Sequence, residues 1–493
     1  MAAPAQHISP SAFAIERVTH ALTDLASLRT LMYESTGSRL SWVRDSSDAE
    51  LADAVLRMSH MKRLGERCGA DPVFRAIARE NPGGAVARLG LVLDAAEAAA
   101  IAHPEAPRSQ VPISVRRCRQ YFQGLLHWRD DLRRLPASAP DRRFTAWRAR
   151  QIVRADSQLY EVMNHEIIHS PLAFELSQGC SVGCHFCGVS APRLSDLFPY
   201  TDDNARFWRE TINVMVDRLG PAAAAGFCYW ATDPIDNPDY DRFVSDFHAI
   251  TGAFPQTTTA IPLKDAARTR RILRVSMLKG CAVNRFSILA LRTLERVHEE
   301  FLPEELFFVQ MVYQNKEASP TFAQAGRVLG TRAAATGAKG EAPDNPVART
   351  IACVSGFLLN MVRRDVRLIS PWPADARWPL GYRVFDERRF QTPRELASAV
   401  GDMIERSMPP RLPAADVVRF RPDLKVTMRR DGMALKTPAA TFTFTGGADV
   451  RRLGETISGA RRTAGEIRRT SPVGRETLSL LYRNGLLDDR VGD

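Results

Sequence analysis

From about residue 12 to about residue 165, apolar residues recur at three- and four-residue spacing, in segments such as Ala49–Met58 and Ala85–Ala100 that are rich in Ala, Leu, Arg and Glu. That period and those residue types predict helices, and few strand-like runs precede Leu172. Asp71 followed by Pro72 reads as a helix start, an N-cap and then a first-turn proline. From Leu172 the texture changes to short apolar runs alternating with amphipathic stretches. Strands are expected at Leu172–Leu176, Ala225–Trp230, Gln256–Ile261, Val283–Leu289, Leu306–Val312 and Val366–Ile369. Helices are expected between them at Asp203–Leu219, Pro238–Ile250, Ala266–Lys279 and Ala290–Glu300. Strand–helix alternation of this kind argues for an α/β protein with βαβ units and a parallel sheet or barrel.

Ala334–Pro346, rich in Ala, Gly and Pro, reads as a loop or insert, and the proline-rich stretch Met408–Pro413 as a domain boundary. Beyond it lie short strand candidates at Val417–Phe420, Lys425–Arg429, Met433–Lys436 and Thr441–Phe444. Helical segments at Val450–Ile457, Ala464–Arg469 and Val473–Asn484 follow. A small sheet followed by three helices is the pattern of an α+β winged-helix-like module. A chain of 493 residues holds about three domains at roughly 150 residues each. The expected parts are a helical region at 1–167, an α/β domain of alternating strands and helices at 168–392 and the small domain at 414–493.

Composition narrows the classes. No run approaches the roughly 18 apolar residues of a membrane span, and the N-terminus lacks the basic start and apolar core of a secretory signal. A cytoplasmic protein with no membrane partner is expected. The net charge of +11 comes from 67 basic and 56 acidic residues, and only seven of the basic ones are Lys. An arginine surplus spread along the chain, without an aromatic-interleaved patch, reads as a solvated surface rather than a nucleic-acid interface.

The eight cysteines fall at 68, 118, 180, 184, 187, 228, 281 and 353. A secreted disulfide framework would be denser and shorter. Three of them lie within Phe174–Gly188, as Cys180, Cys184 and Cys187, directly after the first expected strand. Soft thiolates select zinc, copper(I) or iron–sulfur centres. Zinc would need a fourth close ligand, yet His185 is hemmed between Cys184 and Cys187, His248 is distant, and the chain has no second CxxC. Three thiolates suit a 4Fe–4S cluster with one iron left open, and a loop after a strand of a βα repeat is where barrel active sites sit.

The spacing is the CxxxCxxC motif of radical S-adenosylmethionine enzymes, with the aromatic Phe186 before the last cysteine. Membership of that superfamily implies a partial (β/α)6 barrel, a 4Fe–4S cluster on Cys180, Cys184 and Cys187, and bound S-adenosyl-L-methionine. Thr232 and Asp233, in the segment Gly226–Tyr240, stand where the superfamily carries its Gly-Gly-Glu-Pro motif. A carboxylate there would meet the cofactor's ammonium, although the residues depart from Gly-Gly-Glu. Asn284, Arg285 and Ser287 are polar in an apolar run. They would hold the cofactor's ribose or carboxylate, or fill the barrel interior.

Within the superfamily, Cys180–Pro192, Gly226–Tyr240, Phe254–Ala260, Pro262–Arg270, Ala352–Asn360 and Arg377–Glu387 resemble the peptide epimerases of ribosomal-peptide maturation that act on proteusin-type precursors. The resemblance covers roughly residues 170–390. Ala70–Leu91 also resembles the helical leader segments of nitrile-hydratase-like precursors, or is a plain helical hairpin. The small C-terminal domain resembles peptide-recognition elements of such enzymes, or is a generic winged-helix domain. The implied activity is inversion of L residues to D in a ribosomally made precursor peptide, whose leader the enzyme would bind. An external flavodoxin- or ferredoxin-type protein would supply electrons.

Radical epimerisation needs a thiol that returns hydrogen to the face opposite the first abstraction. The resemblance places Cys353 in that role, with Cys228 and then Cys281 as alternatives, while any lone cysteine is ordinarily a buried small hydrophobe. No cysteine-rich C-terminal extension for auxiliary clusters and no cobalamin-domain signature is apparent. Peptide crosslinking, tRNA or small-molecule modification, and a catalytically idle leader-binding scaffold remain as alternatives.

Overall fold

In the computed structural model, residues 9–159, 166–320, 322–329, 349–459, 461–471 and 473–489 are described, and the helix signals of the first third become helices with built ends. Helix Asp48–Ala70 begins at Ser47, whose side chain accepts from the Glu50 amide while Glu50 accepts from the Ser47 amide. This reciprocal cap satisfies two donors that the helix leaves open. Asp71 caps the next helix, Pro72–Glu80, accepting from the Val73 and Phe74 amides at 3.0 and 3.1 Å. The helix expected over Ala85–Ala100 is instead two, Pro82–Arg88 and Ala95–Ala102. Gly90 takes a φ of +61° and Asp94 caps the second helix, so a left-handed residue and a new N-cap interrupt the periodic run.

In chain order the strands are β1 (Ser170–Glu175), β2 (Ser177–Gln178), β3 (Asp196–Leu197), β4 (Thr258–Thr259), β5 (Asn284–Ile288), β6 (Val309–Tyr313), β7 (Val354–Asn360), β8 (Asp365–Pro371), β9 (Tyr382–Arg389), β10 (Lys425–Arg429), β11 (Gly432–Lys436) and β12 (Thr441–Thr445). The chain groups into two compact units, each drawn from two separate stretches: 1–131 with 233–321, and 132–232 with 322–493. The segments expected at 1–167, 168–392 and 414–493 are successive in sequence, whereas this spatial grouping interleaves them.

In the first unit, β4, β5 and β6 form a parallel sheet in that order, connected by helices Ala266–Leu278 and Leu291–Glu300. Val18, Leu28, Met32, Val55 and Met58 from the N-terminal helices share a core with Met277, Phe307 and Phe308. Arg63, nearly buried, donates to the His298 and Phe301 carbonyls at 2.8 and 2.7 Å, tying helix Asp48–Ala70 to the end of helix Leu291–Glu300.

In the second unit the strand order is β1-β7-β8-β9, with β1 and β7 parallel and the remaining pairs antiparallel. The strand expected at Ala225–Trp230 contracts to one parallel bridge, Phe227 to Ala173, because Gly220–Ala225 winds into a 3-10 turn. Val366–Ile369 lies within β8 as expected. Its partners β7 and β9 were not anticipated. All seven residues of β7 are buried, so it lacks the polar alternation that marks a half-buried strand. Gly356 belongs there because a Cβ would overlap the Pro171 carbonyl of β1.

The C-terminal stretch of this unit is an antiparallel sheet, β10-β11-β12, followed by helices Gly447–Gly459, Ala464–Thr470 and Gly474–Arg483 around Met433, Leu435, Leu453, Ile467 and Leu481. Val417–Phe420 contributes two isolated bridges, Val417 to Thr463 and Phe420 to Leu487, rather than a strand. Arg421, essentially unexposed, donates to Ser157 Oγ at 3.1 Å, to the Gly485 carbonyl at 2.8 Å and to Asp423 at 2.6 and 3.0 Å. Gln151 donates to Asp489 at 2.9 Å. The C-terminal stretch is thereby bonded to helix Arg142–Leu159. The insert expected at Ala334–Pro346 lies outside the described residues. The fold is mixed α/β, and among the described residues no helix is long and apolar enough to cross a membrane.

Candidate functional site

The three clustered cysteines occupy one loop between β1 and helix Asp202–Leu219. A short hairpin, β2 with β3, forms its neck, closed by Cys180 N–H to the Pro192 carbonyl at 3.0 Å and Leu194 N–H to the Cys180 carbonyl at 3.2 Å. Gly179, at φ +83°, permits the neck to close, since a Cβ there would overlap the Pro192 and Arg193 carbonyls. Within the loop, Cys187 N–H donates to the Cys184 carbonyl at 3.2 Å and Ser190 N–H to the Cys187 carbonyl at 3.1 Å. The Cys187 sulfur accepts from Ala191 N–H at 3.3 Å. All three thiols are half-buried and none is in a disulfide. Among the described residues no group of three or more His, Cys, Asp or Glu side chains is gathered closely enough to hold a metal ion.

Residues 322–329 brace this loop. Phe322 stacks on Phe186 with centroids 4.3 Å apart and planes at 7°, and meets the edge of His185 at 5.7 Å. Arg327 donates its amide to the Cys187 carbonyl at 3.0 Å and its guanidinium to the carbonyls of Cys184, at 2.6 Å, and Ala191. At the loop's far end, a Cβ on Gly188 would crowd the Ile351 side chain.

A second polar group stands where the parallel strands β1 and β7 end. Glu175, with 4% of its side chain exposed, accepts from Ala231 N–H at 3.0 Å and from Asn360 Nδ2 at 2.9 Å, and faces Arg367 at 3.5 Å. Its backbone carbonyl accepts from Met361 N–H at 3.0 Å. It fixes the segment after Phe227 to the end of the sheet, five residues before Cys180. Sequence reasoning passed over Glu175 and Asn360. The available signal was a polar residue at or near the end of a largely apolar run, Glu175 in Leu172–Leu176 and Asn360 in Val354–Asn360.

The remaining expected residues divide between the units. Thr232 is half-buried in the second unit. Asp233 belongs to the first, where its carboxylate accepts from Thr259 Oγ1 at 2.7 Å, Ala260 N–H at 2.8 Å and Ile235 N–H at 3.0 Å. Burial pushes its carboxyl up to about 6 although those three donors favour the charged form. It therefore caps the turn Pro234–Asp236 and ties it to β4. Asn284 is likewise engaged, donating to Ser276 Oγ at 2.7 Å and accepting from Thr257 N–H at 3.0 Å. Arg285 reaches Gln310 at 3.1 Å, and Ser287 is half-buried on β5.

Of the five cysteines outside the loop, Cys68, Cys118, Cys228 and Cys281 are buried and Cys353 is half-buried. Burial pushes the Cys228 and Cys281 thiols up. Cys353 directly precedes β7, and its carbonyl accepts from Ser170 N–H at 2.7 Å. It packs against Ala155, Leu159 and Ile167, and also borders the apolar cluster of Ala173, Phe227 and Val354 that Val189 of the loop joins. Cys353 therefore sits at the start of β7, two residues from the Ile351 that meets Gly188, and not at the strand's C-terminal end with Glu175 and Asn360.

This is a mixed α/β protein whose parallel strand β1 leads into a thiol-bearing loop. No family model matches the chain, and no solved structure matches it. It is 39% identical over 457 residues to the uncharacterized protein y4wI of Sinorhizobium fredii, an alignment covering 88% of each chain. At that identity and coverage the chain belongs to the same family as y4wI.

Proposed function

We propose that this protein is a radical S-adenosylmethionine enzyme that inverts L residues to D in a ribosomally made precursor peptide. The observation that carries the reading is the CxxxCxxC loop after a parallel strand, with three half-buried thiols free of disulfides. The donor chemistry suits a 4Fe–4S cluster, soft thiols only, with Cys187 Sγ accepting a backbone N–H, the kind of hydrogen bond that tunes cluster sulfurs; the three thiols, not gathered to ligand distance, would draw together around the cluster. Cys180, Cys184 and Cys187 would hold the cluster, and Phe186 and Thr232 would flank the cofactor. We read the parallel strands as belonging to a partial (β/α)6 barrel and β10–β12 with the three following helices as a winged-helix-like module. The edge strands β10 and β12 of that module would pair with the precursor's leader. The reading sets the enzyme in the cytoplasm, where thiols stay reduced, with a flavodoxin- or ferredoxin-type electron donor.

When bound, S-adenosylmethionine supplies a 5′-deoxyadenosyl radical able to take hydrogen from a peptide Cα. Cys353 then returns a hydrogen atom from its thiol to the opposite face. Its sulfur is left one electron and one proton short; the external donor supplies the electron and solvent the proton, which restores the thiol. Two observations favour Cys353 over Cys228 and Cys281: it alone among the five outside cysteines is not buried, and Ile351 beside it meets the loop at Gly188.

The test is mass spectrometry of a candidate precursor co-expressed with the enzyme in D2O. Epimerisation adds one deuterium per inverted residue with no other mass change. A loss of two hydrogens would point to crosslinking, and a gain of CH2 to methylation, and either would overturn the reading.

A further inference from the structure

Three independent contacts join residues 322–329 to the cysteine loop, and all converge on its middle. Phe322 lies flat on Phe186. Gly326, at φ +58°, sits so close that a Cβ would overlap the carbonyls of both Cys187 and Gly188. Arg327 gathers three carbonyls at once, Cys187 through its amide and Cys184 and Ala191 through its guanidinium. A planar guanidinium can bridge two carbonyls in fixed geometry, which an ammonium cannot do. The carbonyls so held belong to two of the three thiol-bearing residues and to the residue whose N–H meets the Cys187 sulfur. The same side chain places a permanent positive charge against the backbone of the thiol-bearing loop.

We infer that Arg327 is a positioning residue for the cysteine loop, fixing the spacing of Cys184 and Cys187 and biasing the charge of whatever those thiolates hold. The inference rests on the proposed reading of the loop as a cluster site, but it makes a separate claim about the metal-free chain. Without the bridge, the loop opens more often and its thiols meet solvent. With the cluster in place, removing a nearby positive charge disfavours the added electron, so the reduction potential falls.

The test uses the full-length protein with Arg327→Gln, Arg327→Lys and, independently, Gly326→Ala, which pushes the brace away without touching a charge. In metal-free protein, N-ethylmaleimide labelling of Cys184 and Cys187 is followed by mass spectrometry. Loss of the two guanidinium bonds is expected to speed labelling by about fivefold or more in Arg327→Gln. Gly326→Ala should do the same, while overall unfolding temperatures stay close to wild type. After anaerobic reconstitution, the potential read by electron paramagnetic resonance should move negative in Arg327→Gln, less so in Arg327→Lys, and least in Gly326→Ala. Labelling rates within twofold of wild type in both Arg327→Gln and Gly326→Ala would overturn the inference. Wild-type protein that takes up no iron would sink the cluster reading instead, leaving the labelling result to be judged separately.

Discussion

Replacing Glu175 with Ala removes one buried carboxylate that serves three groups. Ala231 N–H and Asn360 Nδ2 each lose an acceptor at 3.0 and 2.9 Å, and Arg367 loses a partner at 3.5 Å while keeping Asp365 at 3.9 Å. A buried donor left without an acceptor costs about 1–3 kcal/mol, so the two neutral donors alone set a cost of about 3 kcal/mol after partial relaxation. That energy falls on the anchoring of residues 228–232, not evenly on the chain. Hydrogen exchange reads such local opening directly. At about 1.4 kcal/mol per tenfold, peptides covering 228–232 should exchange about a hundredfold faster in Glu175→Ala. Glu175→Gln keeps an acceptor for Ala231 but sets its amide against the donors of Asn360 and Arg367, and about a tenfold rise is expected. Exchange within twofold of wild type in Glu175→Ala would refute the view that this carboxylate holds the segment.

Cys353→Ala should leave 5′-deoxyadenosine production intact while little or no D residue forms; inversion at the wild-type rate would move the donor to Cys228. Acid should weaken the first unit. The Lys62 ammonium, with the His298 N–H, outweighs burial and holds the Glu66 carboxyl down to about 2, so the stability it contributes above the ordinary glutamate value of 4.5 is lost as pH falls toward 2. Burial holds His298 down to about 4, so charging it favours unfolding as pH falls below 6.5. Glu66→Gln should flatten the pH dependence of thermal unfolding between pH 5 and 2 relative to wild type. Arg421→Ala should loosen the C-terminal stretch, since Ser157, Gly485 and Asp423 all lose a buried partner. With Asp423 still partly exposed, the lost hydrogen bonds cost about 2–3 kcal/mol, which should appear as faster exchange or earlier proteolysis in residues 414–489, and an unchanged pattern there would contradict it.

Local chemistry made much of the fold legible. The Asp71–Pro72 start, helix Asp202–Leu219 and strands β5 and β10 follow from capping residues and periodicity that act over one or two turns of chain. What escaped depends on partners distant in sequence. β7 pairs with β1 across more than 180 residues of chain, and a strand buried on both faces reads like any apolar run. That Cys180, Cys184 and Cys187 share one loop was legible because they lie within eight residues of one another directly after an expected strand. The brace at Phe322–Arg327 was not, because nothing in its composition marks a stretch whose contacts are mostly with carbonyl groups. Asp233 was expected to meet the cofactor's ammonium; in the structure three donors of its own unit bond its carboxylate, partners that its place in the sequence did not show.

The central claim is that Cys180, Cys184 and Cys187 together support cleavage of S-adenosylmethionine. Full-length protein, reconstituted anaerobically with iron and sulfide and reduced with dithionite, is supplied with S-adenosylmethionine, and 5′-deoxyadenosine is quantified by mass spectrometry. Wild type should hold about four iron per chain and form 5′-deoxyadenosine, and Cys184→Ala should form none. Formation of 5′-deoxyadenosine at the wild-type rate by a variant lacking all three cysteines would contradict it.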